Sequence, residues 1–570
     1  MLDLSERGAI TPLAILPFSH RSLLYLVALT VCLWSAKYHP FLAVPRVIDD
    51  DARQHVYWTY RFQDADLFPN DLLTDFISSY QVAPPGYQML YALGAYLMDP
   101  LLFSQLLSLG LLMVSVWLLW RIGQHMGGEH ASTFAACLLL MYVLYSSSGG
   151  LPKSFGFPLL LSGVLLALRR AFGGLAGLFV VQSVLYPPML LNTGALAAVT
   201  WLRVWRHSTD KAIWWSLGML GVGVGVASWV LGHVYGTTAT APFGPMVTRS
   251  LAAAMPEFAA QGRTAFYGES WWQTLLNDRG GIGAERLYGF LIILGIIAVV
   301  RWPARLVVPA VVTDLVWTSL LLFGLAHAVL FKLHLPSRYV LYTLPIAAIV
   351  LIAANGTGTC RMLQFRWPLL GHTLRRWRSQ RRLWWASVVV VVLAFVYVQN
   401  RYIVVVDPLT IRIDRLALHV YRHLQTLPKD VVIAGHPWEM DNIPLFAHRK
   451  VLANQELSLP YFTGYYAEVR QRLLDSLTAY YAADAQQVQQ FVQRYGVDYI
   501  LLNTQHFTPE FLQGRIYYEP FKSLVRARLT ESPRFALLEA AVGERVYIQE
   551  PYILVSFAHR KKGRDGGAAH

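Results

Sequence analysis

The sequence predicts an α-helical polytopic membrane protein with about 11 transmembrane helices, followed by a C-terminal α/β domain outside the cytoplasm. Hydrophobic residues make up 55% of the 570 residues and charged residues only 14%, whereas soluble domains average roughly 25% charged residues. The apolar residues gather in long runs, and basic residues cluster beside those runs. These observations indicate that lipid is the solvent for most of the chain.

The apolar runs mark the transmembrane helices. Leu101–Trp120 contains no charged residue, and a helix of about 20 residues crosses the roughly 30 Å hydrocarbon core. Backbone polar groups in lipid need internal hydrogen bonds, which a helix supplies. We therefore predict helices at about 22–37, 101–120, 131–147, 155–168, 172–185, 188–202, 213–235, 286–300, 306–331, 339–354 and 383–399.

Basic residues set the orientation of these helices, because cytoplasmic loops carry an excess of Lys and Arg. Residues 361–382 contain seven arginines and no acidic residue, so we place this segment inside. With the N-terminus also inside, the segments 38–100 and 236–285 become the first and second outside loops. We therefore predict a transmembrane domain over 1–400 and an extracytoplasmic domain over 401–570.

The tail has the pattern of a mixed α/β domain. A helix is predicted at Asp484–Arg494, where apolar residues recur on one face. The last residues, from His559, are basic and rich in glycine, so we predict a disordered end. Short strands are predicted at Val431–Ala434, Lys450–Leu452, Tyr499–Asn503, Phe535–Ala540 and Arg545–Gln549.

Two classes of function are disfavoured by composition. The formal charge of +14 would suggest nucleic acid in a soluble protein, but here the basic residues cluster at helix ends. We therefore expect no nucleic-acid partner. The three cysteines lie in or beside apolar segments and none lies in the tail, so neither a disulfide framework nor a cysteine zinc site is supported.

The first outside loop holds the most informative cluster, Asp49-Asp50-Asp51, followed by Gln54 and His55. Three consecutive carboxylates repel one another. A bound cation, an acceptor hydroxyl to be deprotonated, or an arginine partner would explain such a cluster. A solvated turn is the alternative, since aspartate is common in turns. The position of the cluster, about a dozen residues beyond the first helix, favours a site at the membrane–water boundary.

Basic residues on the same outside face are candidate ligands for a lipid phosphate. Lys153 lies in the short turn before the helix at 155–168, and Arg338 lies at the outside end of the helix at 306–331. A cation at this boundary is usually paired, and a snorkelling membrane anchor is the alternative role. The candidate supporting or acceptor-binding residues are Gln54 and His55 beside the acidic motif, Arg263 in the second outside loop, and His334 near Arg338.

The topology and the acidic motif resemble the GT-C class of membrane glycosyltransferases, which includes aminoarabinose transferases, protein O-mannosyltransferases and the oligosaccharyltransferase catalytic subunit. This resemblance implies transfer of a sugar from a polyprenyl phosphate or pyrophosphate donor to a glycan, lipid or protein acceptor outside the cytoplasm. It implies catalytic roles for Asp50 and Asp51, with Asp49 beside them, in an inverting displacement. Oxygen-rich aspartate clusters suit Mg²⁺ or Mn²⁺, so Asp49, Asp50 and Asp51 are candidate metal ligands, but some members of this class resemble metal enzymes and others do not, and metal dependence stays open. The sequence has no recognisable eukaryotic retention signal, so we expect a bacterial inner or plasma membrane.

Two other functions remain open at this point. A transporter or lipid flippase would also be polytopic, although such proteins often carry repeats and mid-membrane polar sites, and the polar residues here collect outside. A non-catalytic membrane assembly protein would use the tail as a binding module. Counterflow of a labelled substrate would favour the first alternative, and a partner bound through 401–570 would favour the second.

Overall fold

A computed structural model describes residues 20–43, 47–146, 149–236, 243–283, 308–366, 410–513, 518–531, 534–539 and 542–557. The helices predicted at 286–300 and 383–399 lie outside the described residues, as does the end of the chain from His559. The fold is therefore described for the remaining predicted helices, for most of both outside loops and for most of the tail.

The apolar part of the chain forms helices whose bounds follow the sequence pattern. Pro188 begins one helix and the preceding helix ends at Leu185, as expected of a residue that favours the first helical turn. The apolar helices are α1 (His20–Ala43), α5 (Pro100–Ser146), α6 (Gly156–Leu168), α7 (Phe172–Leu185), α8 (Pro188–His207), α9 (Ala212–Leu231), α12 (Ala310–Ala328) and α13 (Thr343–Arg366).

Helix α5 contains a reversal that joins the two helices predicted at 101–120 and 131–147. Gly128 has a φ of +75°, which right-handed helices do not contain. A Cβ on Gly123 would lie 2.4 Å from the Cα of Ser132, although nine residues of straight helix would separate them by about 13.5 Å along the axis. The chain therefore folds back near Gly128, and the two predicted helices are confirmed as separate arms.

Four helical segments in the described ranges are long and apolar enough to cross a membrane by length and composition. The other apolar helices of the described ranges do not meet both criteria, and the prediction of 11 spans therefore stays a prediction. Apolar side chains on several of these helices are exposed in the isolated chain, as lipid-facing residues would be. The four segments are Pro100–Met126, Ala212–Tyr235, Ala310–Ala328 and Pro336–Asn355.

The segments 38–100 and 236–285 contain short elements; their outside position stays a prediction, and they keep the names first and second outside loop. In the first outside loop, Pro85 starts a helix that ends at Leu97. In the second outside loop, Ser270 caps a short helix with a capping box, which satisfies backbone N–H groups at the helix start. The elements are β1 (Val47–Asp49), α2 (Ala52–His55), α3 (Leu72–Ile77), α4 (Pro85–Leu97), α10 (Arg249–Ala254) and α11 (Trp271–Leu276).

The tail forms a mixed four-stranded sheet covered by helices. Its strand order is β3-β4-β6-β5, with β3 parallel to β4 and the remaining pairs antiparallel. The strands are β2 (Thr410–Arg412), β3 (Ile433–Gly435), β4 (Tyr499–Asn503), β5 (Glu544–Gln549) and β6 (Tyr552–Ser556). The helices are α14 (Arg415–Gln425), α15 (Pro437–Met440), α16 (Ile443–Ala447), α17 (Thr463–Tyr480), α18 (Ala485–Tyr495) and α19 (Phe521–Glu531).

One predicted strand of the tail is wrong, and another is reduced to a single bridge. Ala536–Leu538 forms a 3-10 turn, because the backbone N–H of Ala536 donates to the carbonyl of Ala482 rather than to a neighbouring strand. At Lys450–Leu452 the chain makes only an isolated bridge between Val451 and Ile433. The strands predicted at Tyr499–Asn503 and near Arg545–Gln549 are confirmed.

The tail packs directly on the first outside loop. Strand β2 of the tail pairs antiparallel with β1 of the first outside loop, so that Asp49 lies opposite Thr410. One cluster of buried side chains also runs from the apolar helices through the first outside loop into the tail sheet. This packing brings polar residues of the tail up to the acidic motif.

Candidate functional site

The acidic motif lies where β1 ends and α2 begins, and its three carboxylates turn in different directions. Asp49 is buried, and its Oδ1 accepts a hydrogen bond from the backbone N–H of Asp51 at 3.0 Å. Asp50 forms an ion pair with Arg53, one turn further along the chain. Asp51 forms an ion pair with Lys153. The motif is therefore neither a solvated turn nor a single cluster of three convergent acids.

Arg53 joins Asp50 to the tail. Its side chain is only 1% exposed, and a buried charge of this kind needs partners. Besides Asp50, its guanidinium contacts Glu456 at 3.2 Å, Asp441 at 3.6 Å and the amide oxygen of Asn442 at 3.3 Å. The arginine partner expected of the acidic motif is therefore Arg53, and the remaining ligands of Arg53 come from the tail.

Glu456 is the point where both outside loops meet the tail. Its carboxylate accepts from Gln54 of the first outside loop and from Nη2 of Arg263 in the second outside loop, the latter at 3.2 Å. The same Nη2 donates to the Glu456 carbonyl at 2.9 Å, and Nε donates to the Gln455 carbonyl at 2.9 Å. The predicted supporting residues Gln54 and Arg263 are thus brought together by an acid that was not among the predicted site residues.

The surroundings of Asp50 and Asp51 drive their ionisation in opposite directions. Burial, reinforced by the negative charge of Glu456, raises the pKa of Asp50 to about 6, although Arg53 opposes the change. Burial also opposes the charge on Asp51, but Lys153 and then His55 outweigh it, and the pKa of Asp51 falls below its ordinary value. Two neighbouring carboxylates therefore differ in basicity: Asp50 is the stronger base and Asp51 is a permanent anion at neutral pH.

Lys153 reaches Asp51 from a 3-10 turn at Pro152–Phe155, immediately before α6. The hydroxyl of Tyr342, at the start of α13, donates to the Lys153 carbonyl at 2.9 Å and holds this turn in place. At the other end of α6, Arg169 donates to His125 at 3.4 Å. Lys153 and Arg169 thus lie at opposite ends of α6, which is about 20 Å long.

Several polar atoms of Arg338 and of residues around it are buried and have no hydrogen-bond partner within the described ranges. They are Nδ1 of His55, Nε of Arg338, Oγ of Ser337 and the hydroxyl of Tyr461. Arg338 interacts electrostatically with Asp51, Tyr461 and His55, so these groups lie in one neighbourhood. Because buried polar groups in native proteins are nearly all satisfied, the cluster is suited to a polar ligand.

The two predicted histidines differ in their surroundings. Burial lowers the pKa of His55 to about 4, with Lys153 adding to the change and Asp51 opposing it. His55 is therefore neutral at pH 7 and can donate or accept a hydrogen bond. His334 has a left-handed backbone with φ of +64° and an exposed side chain, which forms no hydrogen bond or ion pair with the residues that the structure describes. Its predicted supporting role stays a prediction.

The three aspartates as placed do not fit a divalent ion. Mg²⁺ requires near-octahedral oxygen ligands, but Asp50 is engaged by Arg53 and Asp51 by Lys153. Across the described residues, no group of three or more His, Cys, Asp or Glu side chains is arranged to hold a metal. At Asp51 the positive charge is supplied by an ammonium group.

Solved structures that are similar in fold to this chain are GT-C membrane glycosyltransferases. ArnT from Cupriavidus metallidurans in the apo state matches with a TM-score of 0.51 and 14% identity, over 95% of this chain and 98% of that chain. At this identity the match shows the fold alone. The resemblance in fold that was predicted from the sequence is confirmed.

Two further solved structures are similar at lower scores. Arabinofuranosyltransferase AftD from Mycobacteria matches with a TM-score of 0.49 and 15% identity, over 85% of this chain and 37% of that chain. Archaeal oligosaccharyltransferase AglB from Archaeoglobus fulgidus, in complex with an inhibitory peptide and a dolichol-phosphate, matches with a TM-score of 0.47 and 10% identity, over 89% and 72%. No protein-family model matches the chain, and no curated protein matches it in sequence.

Proposed function

We propose that the protein is a membrane glycosyltransferase that moves a sugar from a polyprenyl phosphate or pyrophosphate donor to an acceptor outside the cytoplasm. The observation that carries this proposal is the pair of neighbouring aspartates, Asp50 and Asp51, whose pKa values are shifted in opposite directions, beside two cations, Lys153 and Arg338. A displacement at an anomeric carbon needs a base for the acceptor and positive charge for the leaving phosphate. Residues that lie close together supply both the base and the positive charge.

Asp50 is the proposed base. Its pKa of about 6 keeps it ionised at neutral pH while leaving it more basic than an ordinary aspartate, which suits general-base catalysis. The acceptor O–H or N–H loses its proton to Asp50 as the new bond forms at the anomeric carbon. The bond from that carbon to the phosphate oxygen breaks, its electron pair leaves with the phosphate, and the sugar is inverted.

Lys153 and Arg338 are the proposed phosphate ligands, and Asp51 positions Lys153. Nε of Arg338 is buried without a partner in the described part of the chain, so a phosphate oxygen would supply the hydrogen bond that it lacks. Preformed cationic groups that face developing negative charge are often the largest single contribution to catalysis. His55, Ser337 and Tyr461 line the same neighbourhood and would contact the sugar or the phosphate.

Asp49 is the proposed support of the turn rather than a reacting group, because it is buried and holds the Asp51 backbone. We propose that Lys153 and Arg338, rather than a metal ion, stabilise the negative charge on the leaving group. The location that follows is an integral membrane position with the tail outside, as in the inner or plasma membrane of a bacterium. The division of the chain into a transmembrane domain over 1–400 and an extracytoplasmic domain over 401–570 is also part of this proposal.

The test is sugar transfer by purified protein in detergent with a panel of polyprenyl-phosphate sugars. We expect turnover by the wild type and by Asp66→Asn, an exposed aspartate of the same loop, but not by Asp50→Asn. The product should have the inverted anomeric configuration. Full activity of Asp50→Asn would remove this residue from the mechanism. No turnover of any donor by folded wild type would favour transport or membrane assembly instead.

A further inference from the structure

A pocket lies where the second outside loop packs on helix α17 of the tail, and the proposed reaction does not use it. Its volume is about 270 Å³, slightly below the roughly 300–1,000 Å³ of pockets that hold drug-sized ligands. The pocket therefore admits one sugar ring or a group of similar bulk. Helix α10 and the 3-10 turn at Pro256–Phe258 form one wall, and the first turns of α17 form the other.

A buried acid lies at the base of this pocket. The side chain of Glu257 is only 1% exposed. Its Oε1 accepts from the hydroxyl of Tyr466 at 3.0 Å and from Nε of Arg470 at 2.8 Å. Its Oε2 is buried and has no hydrogen-bond partner among the described residues, although nearly all buried polar groups in native proteins are satisfied. A ligand that donates a hydrogen bond would satisfy this oxygen.

Arg470 presents hydrogen-bond donors at the rim of the same pocket. Its side chain is 38% exposed and contacts Glu257 through Nε. Its two terminal nitrogens make no hydrogen bond or ion pair with any residue in the described ranges. Guanidinium nitrogens can only donate, whereas carboxylate oxygens can only accept. The pocket therefore offers a donor and an acceptor side by side.

This combination of groups selects the chemistry of the ligand. An anion would be repelled by the carboxylate of Glu257, and a cation would be repelled by Arg470. A hydroxyl group both donates and accepts, so two neighbouring hydroxyls of a neutral sugar can satisfy both side chains. Apolar side chains, among them Leu251, Met255 and Pro460, form much of the remaining lining and would pack against the C–H groups of a sugar ring. We propose that this pocket binds one neutral sugar unit of a glycan acceptor, a role that rests on the proposed function.

The pocket adjoins the proposed reacting centre through two consecutive residues of the tail. Pro460 lines the pocket, and the next residue, Tyr461, interacts electrostatically with Arg338. The ring of Tyr461 also packs on the ring of Phe258, with a centroid distance of 5.8 Å, beside Glu257 in the 3-10 turn. An acceptor glycan with one unit in the pocket can therefore direct a neighbouring unit toward the reacting centre.

The experiment measures binding of named sugars to the full-length protein. The protein is reconstituted in lipid nanodiscs, because maltoside detergents would themselves present sugar rings to the pocket. Saturation-transfer NMR with titration gives the Kd of the methyl glycosides of mannose, galactose, glucose and arabinose. Inorganic phosphate and a neutral, acetylated tripeptide amide are titrated in parallel. Thermal unfolding establishes that each variant is folded.

We expect at least one methyl glycoside to bind the wild type. Ala467→Phe fills the pocket from an exposed position of α17 and should abolish this binding. Arg470→Gln removes the charged donors and should weaken binding by about tenfold or more, as expected for loss of hydrogen bonds from a charged group. Ala253→Phe adds the same ring at an exposed position of α10 outside the pocket lining and should bind like the wild type.

Several results would overturn the assignment of this pocket. One is the absence of binding of every glycoside to folded wild type, and another is unchanged glycoside binding in folded Ala467→Phe. Binding of phosphate or of the tripeptide in place of the glycosides, lost in Ala467→Phe, would assign the pocket to an anionic or a peptide ligand and would equally overturn the proposal.

The pocket and the proposed reaction fail in different ways. If glycosides bind as expected but the wild type turns over no polyprenyl-phosphate sugar, the sugar pocket stands and the reaction falls. If the wild type transfers sugar to a disaccharide of the bound sugar, Ala467→Phe should raise KM for this acceptor and leave kcat unchanged. If the wild type transfers sugar but Ala467→Phe changes neither glycoside binding nor KM, the reaction stands and the role of the pocket falls.

Discussion

The ammonium group of Lys153 and the carboxylate of Asp51 form an ion pair between the turn that precedes α6 and the first outside loop. Both side chains are about one quarter exposed, so the pair remains accessible to a ligand. A phosphate that enters this neighbourhood would take Lys153 as a partner, and Asp51 would hold the ammonium group in position. This ion pair and similar pairs should therefore affect both the activity and the stability of the protein.

Replacing Lys153 by glutamine should reduce sugar transfer by about 10²–10³-fold, the range observed when one preorganised group that stabilises transition-state charge is removed. Lys153→Arg should retain part of the activity because it keeps the charge. Steady-state transfer from the polyprenyl-phosphate sugar that the wild type uses is the measurement.

The matched control for Lys153 is Lys332→Gln, which removes the same charge from an exposed position six residues before Arg338. It should keep wild-type activity. If Lys332→Gln lost as much activity as Lys153→Gln, the effect would come from the general positive potential of this face, and the specific role of Lys153 would be wrong.

Chelation should leave sugar transfer unchanged. The carboxylates that a Mg²⁺ or Mn²⁺ ion would need are paired with Arg53 and Lys153, and the leaving phosphate is stabilised by cationic side chains. We expect equal rates before and after treatment with EDTA. Loss of activity with EDTA and recovery with Mn²⁺ would restore the metal role that the sequence predicted for Asp49, Asp50 and Asp51.

Much of the helical architecture could be predicted because its signals are local. The turn at Tyr186-Pro187-Pro188 separates α7 from α8 as expected, since proline cannot donate a backbone hydrogen bond inside a helix. The reversal near Gly128 likewise lies between two helices that were predicted separately, at 101–120 and 131–147. The pairing of β1 with β2 was not predicted, because it joins residues more than 350 positions apart and nothing in a strand of three residues identifies its partner.

Only part of the candidate site could be predicted from the sequence, because some of its residues pair with partners that are distant in sequence. Asp50, Asp51 and Lys153 share a neighbourhood, as their common outside position suggested. Glu456 and Asp441 were not among the predicted site residues, because their partner is distant in sequence and their own segments resemble ordinary polar loops. The only indication in the sequence was that these two acids lie close to predicted strands of the tail. That both acids are buried became evident only from the fold.

Asp314 of α12 forms an ion pair with Arg203 of α8, so this acid within a predicted transmembrane helix has its partner on another helix. Asp314 is buried, whereas Arg203 is about half exposed. Removal of one partner leaves a charge without its counter-ion, so Asp314→Asn and Arg203→Gln should each destabilise the protein by ~2 kcal/mol. The measurement is thermal unfolding in detergent.

The double variant of this pair should be less destabilised than the sum of the single variants, which is the signature of direct coupling in a double-mutant cycle. Arg206→Gln, an exposed arginine one turn further along α8, is the control and should unfold like the wild type. Strict additivity in the cycle would show that the two residues do not interact in the folded protein.

Gly244 holds the second outside loop on the tail. Its φ is +75°, and a Cβ at this position would lie 2.6 Å from the backbone nitrogen of Gly464. Around this contact, the N–H of Val247 donates to the Tyr461 carbonyl and the N–H of Tyr465 donates to the Phe243 carbonyl, both at 2.8 Å. The loop segment therefore behaves as part of the tail, held by backbone hydrogen bonds.

Gly244→Ala should loosen this segment, because a left-handed backbone costs an L-residue about 1–2 kcal/mol and the close approach to Gly464 adds to that cost. We expect faster tryptic cleavage after Arg263 and a lower thermal midpoint. Gly225→Ala, in the helix α9 with open space around the added carbon, should be neutral or slightly stabilising. Equal protease resistance in wild type and Gly244→Ala would mean that the loop is held on the tail by its side chains, Arg263 foremost, and not by the backbone contact at this glycine.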